Sequence, residues 1–399
     1  MNVLHVTASL KGGAGIAAMR SVEALRAAGV DVSWLTGEEV GTTGKWRARW
    51  DYLPLRLYRR KSLFTAWSNG WLANGVAKAI NRANPDLVHL HWMGHGFMSV
   101  DEVALIQAPI VWTLHDAWTF TGGCHYPDTC AMFLDGCGRC PQLGSNVKYD
   151  LSHWNRAVKR SLMELSVSWV CPSEWLRQMA ICGGPVAPAQ IRTIPNALNL
   201  EIFSCERRTE ARKKRRLSEG QLVFAVGSME LDERRKGNQL LGEVLANWRK
   251  FDADSACTLL VFGANETTGI KVAGITVVPT GFLQTPEEVA GVLSAADAFI
   301  LPSLQDNLPN VAIEAQACGC PTIGFDSGGL GEIVENGITG WLAPNRDTAE
   351  LGRLLAVYTL GSFRERTKIA DACRARALRL FDPKKHAAEL IKCYQELLL

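Results

Sequence analysis

The sequence predicts an α/β chain folded as two doubly wound parallel-sheet domains that face each other across a cleft. Three observations carry this. The length of 399 residues exceeds what one hydrophobic core usually fills. Short β-branched runs alternate with longer helical patterns along most of the chain. That alternation is interrupted by a polar, basic stretch from Arg207 to Arg216, and then restarts.

In the first half, Val3–Ala8, Val30–Thr36, Leu87–His91, Ile110–Leu114 and Trp169–Pro172 read as strands, with Ile16–Ala28 as the first crossover helix. Ile194–Ala197 reads as the end of a strand entering a turn, so an N-terminal domain over 1–198 is expected. The second half repeats the pattern with Leu222–Val226, Thr258–Phe262, Ile275–Val278, Ala298–Leu301 and Thr322–Phe325. Helical patterns such as Asn238–Arg249 and Pro286–Ala295 separate them, giving a C-terminal domain over 199–382 and a final helix within 383–399. Open parallel sheets bind ligands beyond the carboxyl ends of their strands, which puts the expected active site between the two domains.

Composition narrows the function classes. A net charge of +3 on 43 basic and 40 acidic residues is too balanced to make nucleic acid the main partner. The opening Met1–Val6 has no basic leader, and no apolar run approaches the roughly 20 residues that cross a bilayer, so a cytoplasmic protein is expected. Twelve cysteines in such a chain read as reduced thiols, some of them metal ligands, rather than a disulfide framework.

Lys11-Gly12-Gly13-Ala14-Gly15 follows the first strand and opens a helix, where glycine lets backbone amides approach an anion. Gly13 is the candidate contact to phosphate or sugar. The same residues fit a dinucleotide fingerprint as Gly13-x-Gly15-x-x-Ala18 with Glu38 as the ribose acid, and a tight turn without ligand fits them too. Past the strand ending at Leu301, a helix is expected to begin near Pro309 or Asn310, so amides at Asn310 and Val311 suit a phosphate. Asp306 precedes that helix and Glu314 lies in its early turns. One acid then faces a reacting sugar while the other accepts from ribose hydroxyls; taken singly, they would be a helix cap and a solvated acid. Gly227-Ser228-Met229 follows a strand, and Arg234-Arg235-Lys236-Gly237 leads into a helix. Fixed cations aimed at a departing diphosphate stabilise the transition state more than the ground state, which singles out Arg235 and Lys236 over a solvated charged turn. Trp112-Thr113-Leu114-His115-Asp116 closes a strand, and His115 offers a hydrogen bond to a sugar hydroxyl. His89 and His91 are weaker candidates for acceptor contacts. A satisfied core histidine is the plainer alternative for all three.

Asp306-x7-Glu314, the following Cys318-Gly319-Cys320-Pro321-Thr322, Ser327–Val334 and Gly337–Leu342 together resemble the E-x7-E signature and final motifs of retaining GT-B glycosyltransferases of family 4. The similarity runs from the first glycine loop to Trp341. It implies two Rossmann-like domains with the last helix crossing back to the first, and a UDP- or GDP-linked sugar donor. It implies transfer with retention by front-face attack, with no side-chain nucleophile and no cofactor needed for catalysis. A covalent intermediate on Asp306 is the alternative route. The acceptor would be a saccharide or lipid-linked saccharide in surface polysaccharide synthesis, with His115 and Asp306 catalytic and Glu314 on the ribose. Two positions depart from the pattern: Asp306 stands where the family more often has Glu, and Ser228 where it usually has Arg. A non-catalytic nucleotide-sugar-binding homologue fits those departures. A nicotinamide-dependent oxidoreductase fits the glycine loop but leaves Asp306, Glu314 and Lys236 unexplained.

Three further features stand beside this reading. Cys124, Cys130, Cys137 and Cys140, in an insertion over 122–141, end in a C-x2-C knuckle; four thiolates close a tetrahedral structural zinc site, with a disulfide or chance clustering as alternatives. The segment resembles a Cys-rich stretch of colanic-acid-type glycosyltransferases, and a zinc there would shape the acceptor side. Asp252-Ala253-Asp254 spells a metal-binding D-x-D but falls before a strand rather than after one, so it reads as coincidence. From Lys45 to Trp71, basic residues interleave with aromatic ones, which suits peripheral contact with the inner face of an anionic membrane or a lipid-linked diphosphate; a buried helix pair with a charged outer face is the plainer reading.

Overall fold

Each half of the chain builds one six-stranded sheet in which every strand pair runs parallel. A computed structural model describes residues 1–41, 45–184, 188–218, 220–227, 233–263 and 272–399. Contacts divide the chain into two compact units, Met1–Ala197 with Pro383–Leu399, and Leu198–Asp382.

The first unit contains β1 (Asn2–Thr7), β2 (Asp31–Thr36), β3 (Leu87–Leu90), β4 (Ile110–Thr113), β5 (Val167–Cys171) and β6 (Ile191–Thr193), in the order β2-β1-β3-β4-β5-β6. β3 and β4 are buried at every residue, because crossover helices cover both faces and leave no solvent side to call for alternating polarity. The chain leaves β1 toward β2 and returns to β3, so the direction of winding reverses between β1 and β3. The helix Pro383–Leu398 completes this unit: Ala387, Leu390, Cys393 and Tyr394 share a core with Val3, Leu25, Val111 and Val170.

The second unit contains β7 (Leu222–Gly227), β8 (Cys257–Phe262), β9 (Ile275–Gly281), β10 (Ala298–Leu301), β11 (Thr322–Asp326) and β12 (Gly340–Pro344), in the order β12-β11-β10-β7-β8-β9. Its winding reverses between β7 and β10, and a crevice at such a switch point, beyond the carboxyl ends of both strands, is where doubly wound sheets take ligands.

The basic stretch after Arg207 is no linker. Arg208–Lys214 is a helix of the second unit, anchored where Arg208 pairs with Asp297 at 2.6 Å and the buried Arg212 donates to the Ala295 carbonyl at 2.9 Å. The division falls ten residues earlier in the chain, between Ala197 and Leu198. Among the described residues no helix is long and apolar enough to cross a membrane.

Candidate functional site

In the second unit, two glycines tie the loop that follows β10 to its neighbours, Gly237 from the loop after β7 and Gly328 from the loop after β11. Gly237 has φ +67°, and a Cβ there would lie 1.8 Å from the Pro302 carbonyl oxygen; Gly328 has φ +62°, and its Cβ would lie 1.7 Å from the Asp306 carbonyl oxygen. No side chain fits at either position without displacing the Pro302–Asp306 loop. Leu304 donates its amide to Arg235 O at 2.8 Å, Gly329 donates to Asp306 O at 3.0 Å, and the Ser327 hydroxyl donates to Ser303 O at 2.8 Å. The serine and glycines of the Ser327–Val334 motif therefore clamp the backbone that carries Asp306.

That clamp brings Arg235, Lys236 and Asp306 into one cluster. Lys236 Nζ lies 2.7 Å from Asp306 Oδ2 and Arg235 3.0 Å from the same oxygen. The Asn307 amide donates to Asp306 Oδ1 at 3.1 Å. Burial works against the charged carboxylate, but the two adjacent cations outweigh it and hold Asp306 down at about 2. Arg235 is itself buried, paired with Glu233 at 2.9 Å and donating to Gln305 O at 3.1 Å. Its guanidinium is thus built into the loop, whereas the Lys236 side chain keeps 19% of its surface exposed.

Beyond Asp306 the helix Asn310–Ala317 begins directly after Pro309, and no side chain caps it. Asn310 and Val311 sit half-buried in its first turn, the positive end of the helix, and Glu314 is buried in the second turn. The helix starts here because Pro309 fixes its own φ and blocks a helical residue before it. Asp306 does not cap it. Ser228 and Met229 lie outside the described residues. Asp252 accepts from the Thr359 hydroxyl at 2.9 Å and lies at the amino end of β8, so the D-x-D acid is a structural acceptor far in sequence from the loops of the switch point.

In the first unit, the helix Gly12–Ala27 opens at the glycine loop, with Gly13 exposed in its first turn and no side-chain cap. Gly15 has a packing reason of its own: a Cβ there would lie 2.3 Å from the backbone of Leu10. Adjacent strand ends supply a buried chain of imidazoles. His115 Nε2 lies 3.1 Å from His91 Nδ1, and His91 Nε2 lies 2.9 Å from His5 Nδ1. Tyr394 OH lies 3.5 Å from His5 Nε2 and 2.6 Å from His89 Nδ1, and His89 Nε2 lies 2.7 Å from the Thr113 hydroxyl. Burial lowers His115 to about 4 and takes His5, His89 and His91 well below the ordinary value, so all four are neutral at neutral pH. His89 and His91 were candidates for acceptor contacts; fully buried and hydrogen-bonded on both nitrogens, they face the core and His115, and the acceptor role does not suit them. The spacing of His89 and His91 placed them on one strand face, but the chain through His5 and Tyr394 needed the strand order, with His5 directly opposite His89.

The residue after His115 is fixed as well. Asp116 accepts from His125 at 2.6 Å and from the Trp92 indole at 3.0 Å. Cys124, Cys130, Cys137 and Cys140 line one small cavity, all with free thiols. In the 45–71 stretch, Trp67, Phe64 and Leu55 are buried, while Trp50, Leu57 and Trp71 are exposed beside exposed Arg49, Arg56, Arg59 and Arg60; nothing is described of the side chains of Lys45, Trp46 and Arg47.

Comparison with known proteins shows the family and the fold. A family model described as Glycosyltransferase Family 4 matches residues 11–202, and one described as Glycosyl transferases group 1 matches residues 220–357. The chain is 26% identical over 279 residues to the putative colanic acid biosynthesis glycosyl transferase WcaC of Escherichia coli K12, a match covering 66% of this chain and 65% of that relative. It is 24% identical over 289 residues to the N-acetyl-alpha-D-glucosaminyl L-malate synthase of Bacillus anthracis, covering 69% of this chain and 66% of the relative. The match thus spans about two thirds of each curated relative. Among solved structures, Anabaena HepE in complex with UDP-glucose superposes with a TM-score of 0.66 at 17% identity, covering 98% of this chain and all of the other, which fixes the shared fold.

Proposed function

Because the chain belongs to the GT-B glycosyltransferases of the family 4 and group 1 type, we propose that it transfers a sugar, with retention, from a UDP- or GDP-linked donor to a saccharide or lipid-linked saccharide in surface polysaccharide synthesis. The observation that carries this is the Lys236, Arg235 and Asp306 cluster held against the start of the Asn310–Ala317 helix at the switch point of the second sheet. As the sugar leaves, charge builds on the diphosphate. A partly exposed ammonium and the first-turn amides of a helix are fixed donors that gain most from that charge. Glu314 accepts from ribose hydroxyls. Asp306 stays ionised at every working pH and has both oxygens engaged, which suits orienting Lys236 and the donor sugar better than attacking the anomeric carbon. His115, neutral at neutral pH, serves as a hydrogen-bonding partner rather than a proton reservoir. A colanic-acid enzyme among the relatives and UDP-glucose on a structural neighbour support the donor and pathway class.

The test is transfer from UDP- and GDP-hexoses to oligosaccharide and polyprenyl-diphosphate acceptors, with chelator present throughout. Turnover is expected to persist in chelator, with retained anomeric configuration, and Glu314→Ala is expected to lose about 100-fold in kcat/KM, roughly the effect of removing one preorganised polar contact. Chelator-dependent turnover, or a Glu314→Ala variant as active as wild type, would count against this assignment.

We further propose that the exposed Trp50, Leu57 and Trp71 with Arg49, Arg56, Arg59 and Arg60 bring the enzyme to an anionic membrane surface. Flotation with vesicles rich in anionic lipid is expected for wild type and to fail for the charge-reversed Arg56→Glu, Arg59→Glu, Arg60→Glu triple variant. Equal flotation of both proteins removes the idea.

A further inference from the structure

Two buried cations beside the cysteine cavity have no ion-pair partner among the described residues. Lys159 is fully buried, with Nζ donating to Trp118 O at 2.5 Å and Thr121 O at 3.1 Å and lying 4.0 Å above the Trp118 ring. Arg156, 5% exposed, donates one nitrogen to Gly183 O at 2.7 Å, while its Nε and the other terminal nitrogen are buried without a hydrogen-bond partner. The nearest acids act elsewhere: Asp51 accepts the Asn69 and Gly70 amides, and Asp116 accepts from His125 and Trp92. Buried cations are costly unless an anion compensates them. Cys124 and Cys137, followed by Asp116, are the groups that would favour a charged Lys159, and Cys137 the one that would favour a charged Arg156.

The cavity itself is shaped for sulfur ligands. Its volume is about 20 Å³, room for one small occupant, and Cys124, Cys130, Cys137 and Cys140 all line it. Residues 136–139 all have positive φ, from 48° at Arg139 to 107° at Gly138, which coils the knuckle tightly. At Gly138 a Cβ would lie 2.1 Å from Lys148 O, so the turn cannot relax there. Burial raises all four thiols, Cys137 to about 12 and Cys140 to about 11, so without a metal they are protonated, even though backbone amides of Gly122, Met132, Gln142 and Leu143 are directed at the sulfurs of Cys137, Cys130 and Cys140. Among the described residues, the set of three or more His, Cys, Asp or Glu donors within 4.8 Å of one another is His5, His89 and His91, so the four sulfurs stand wider than the ~3.8 Å edge of a tetrahedron with 2.3 Å zinc bonds. The histidine nitrogens are already bonded to Tyr394, Thr113 and one another, and a tetrathiolate site requires the four sulfurs to move inward.

We propose that Cys124, Cys130, Cys137 and Cys140 bind one Zn²⁺ as a structural tetrathiolate site, with the buried Arg156 and Lys159 as its counter-charges. Binding releases the four thiol protons to solvent; four thiolates and one Zn²⁺ leave a charge of −2, which the two cations neutralise. A disulfide is neutral and would leave the Arg156 guanidinium, which keeps its proton, uncompensated, which favours zinc; Lys159, lowered by burial to about 7, can shed its own proton and does not decide between the two. The site would hold the segment after His115 in place, since Thr121, whose carbonyl accepts from Lys159, also donates its hydroxyl to Cys124 O at 2.5 Å.

This inference is independent of the transfer reaction, and its test reads metal rather than turnover. Elemental analysis of the untagged full chain is expected to find about one zinc per chain, released as four thiols react with a mercurial. Lys159→Met removes one counter-charge and keeps all four thiols and an apolar fit. If the cysteines bind zinc, the variant loses zinc to a competing chelator about 10- to 100-fold more readily. Without zinc, exchanging a buried charge for methionine leaves stability unchanged or raises it, with no metal to lose. Zinc-free protein with thiols that alkylate as fast as in the unfolded chain, or wild-type zinc retention by Lys159→Met, would overturn the proposal.

Discussion

Lowering the pH from 7 to 5 is expected to unfold the first unit while the second stays folded. All eight histidines lie in the first unit. Burial lowers His115 and His386 to about 4, and His5, His89 and His91 well below the ordinary 6.5. The sign follows from proton counting. In the unfolded chain these imidazoles take up protons below pH 6.5, whereas burial keeps them neutral in the folded unit well below that, His115 and His386 to about pH 4. Stability is therefore intact above 6.5 and lost progressively as the pH falls from there toward 4. At pH 5, 1.5 pH units below the unfolded value, His115 and His386 each cost about 2 kcal/mol, and His5, His89 and His91 act in the same direction. About 4 kcal/mol from the first two alone is a large share of the roughly 5–15 kcal/mol that holds an ordinary domain. The second unit has no histidine, and Asp306 titrates only near 2. Eleven of the thirteen tryptophans belong to the first unit, so intrinsic fluorescence reads it selectively. A midpoint between pH 6 and 4.5 is expected, with hydrogen exchange accelerated in 1–197 and not in 198–382. A fluorescence signal flat to pH 4 would mean that the imidazoles are not kept neutral by the fold.

Much of the fold was legible because its signal is local. Parallel strands buried on both faces appear as unbroken apolar runs, such as Ala298–Leu301, Leu222–Val226 and Leu259–Phe262. β6 has three residues and β12 closes on Trp341-Leu342-Ala343 with partial exposure, so neither stands out from a loop. The helix Phe363–Leu380 buries only Cys373 and Ala377 outright, too narrow a stripe to announce itself. The division expected after residue 198 lies within one residue of the observed one, but the Arg207–Arg216 stretch does not reveal in sequence that Arg208 and Arg212 pair with Asp297, far along the chain.

At the site, local motifs singled out Asp306 and Lys236, which the structure pairs, because both follow strands at a switch point. What the residues alone do not contain is who pairs with whom. Glu233 fixing Arg235, Gly328 fixing the Asp306 backbone, and Tyr394 reaching His89 across 305 residues are consequences of strand order. The same holds for the cations beside the cysteines, since Arg156 and Lys159 lie sixteen or more residues beyond Cys140 in sequence and meet the knuckle only after folding.

Replacing Lys236 with methionine is expected to lower kcat/KM for donor by about 10²- to 10³-fold, the range found when one fixed charge-stabilising donor is removed from an active site. The argument rests on the division of labour within the cluster. Arg235 is buried and tied to Glu233, Asp306 and Gln305, so it keeps Asp306 ionised and the loop in shape without Lys236. Lys236, partly exposed and joined to Asp306 alone among the ion pairs described, can turn to a diphosphate without dismantling that loop. Methionine keeps the aliphatic stem and so should change stability little, which separates lost chemistry from lost folding. Asp306→Asn should behave differently. It removes a carboxylate from two cations, which lowers stability, yet it leaves Lys236 to meet the diphosphate. Nucleoside diphosphate affinity is expected to stay within a few-fold of wild type while turnover falls, because orientation of the donor sugar is lost rather than capture of the leaving group. The measurement is kcat, KM and nucleotide Kd for both variants, with thermal midpoints alongside. If Lys236→Met retained full turnover, the ammonium would not be meeting the leaving diphosphate, and its bond to Asp306 would be structural only.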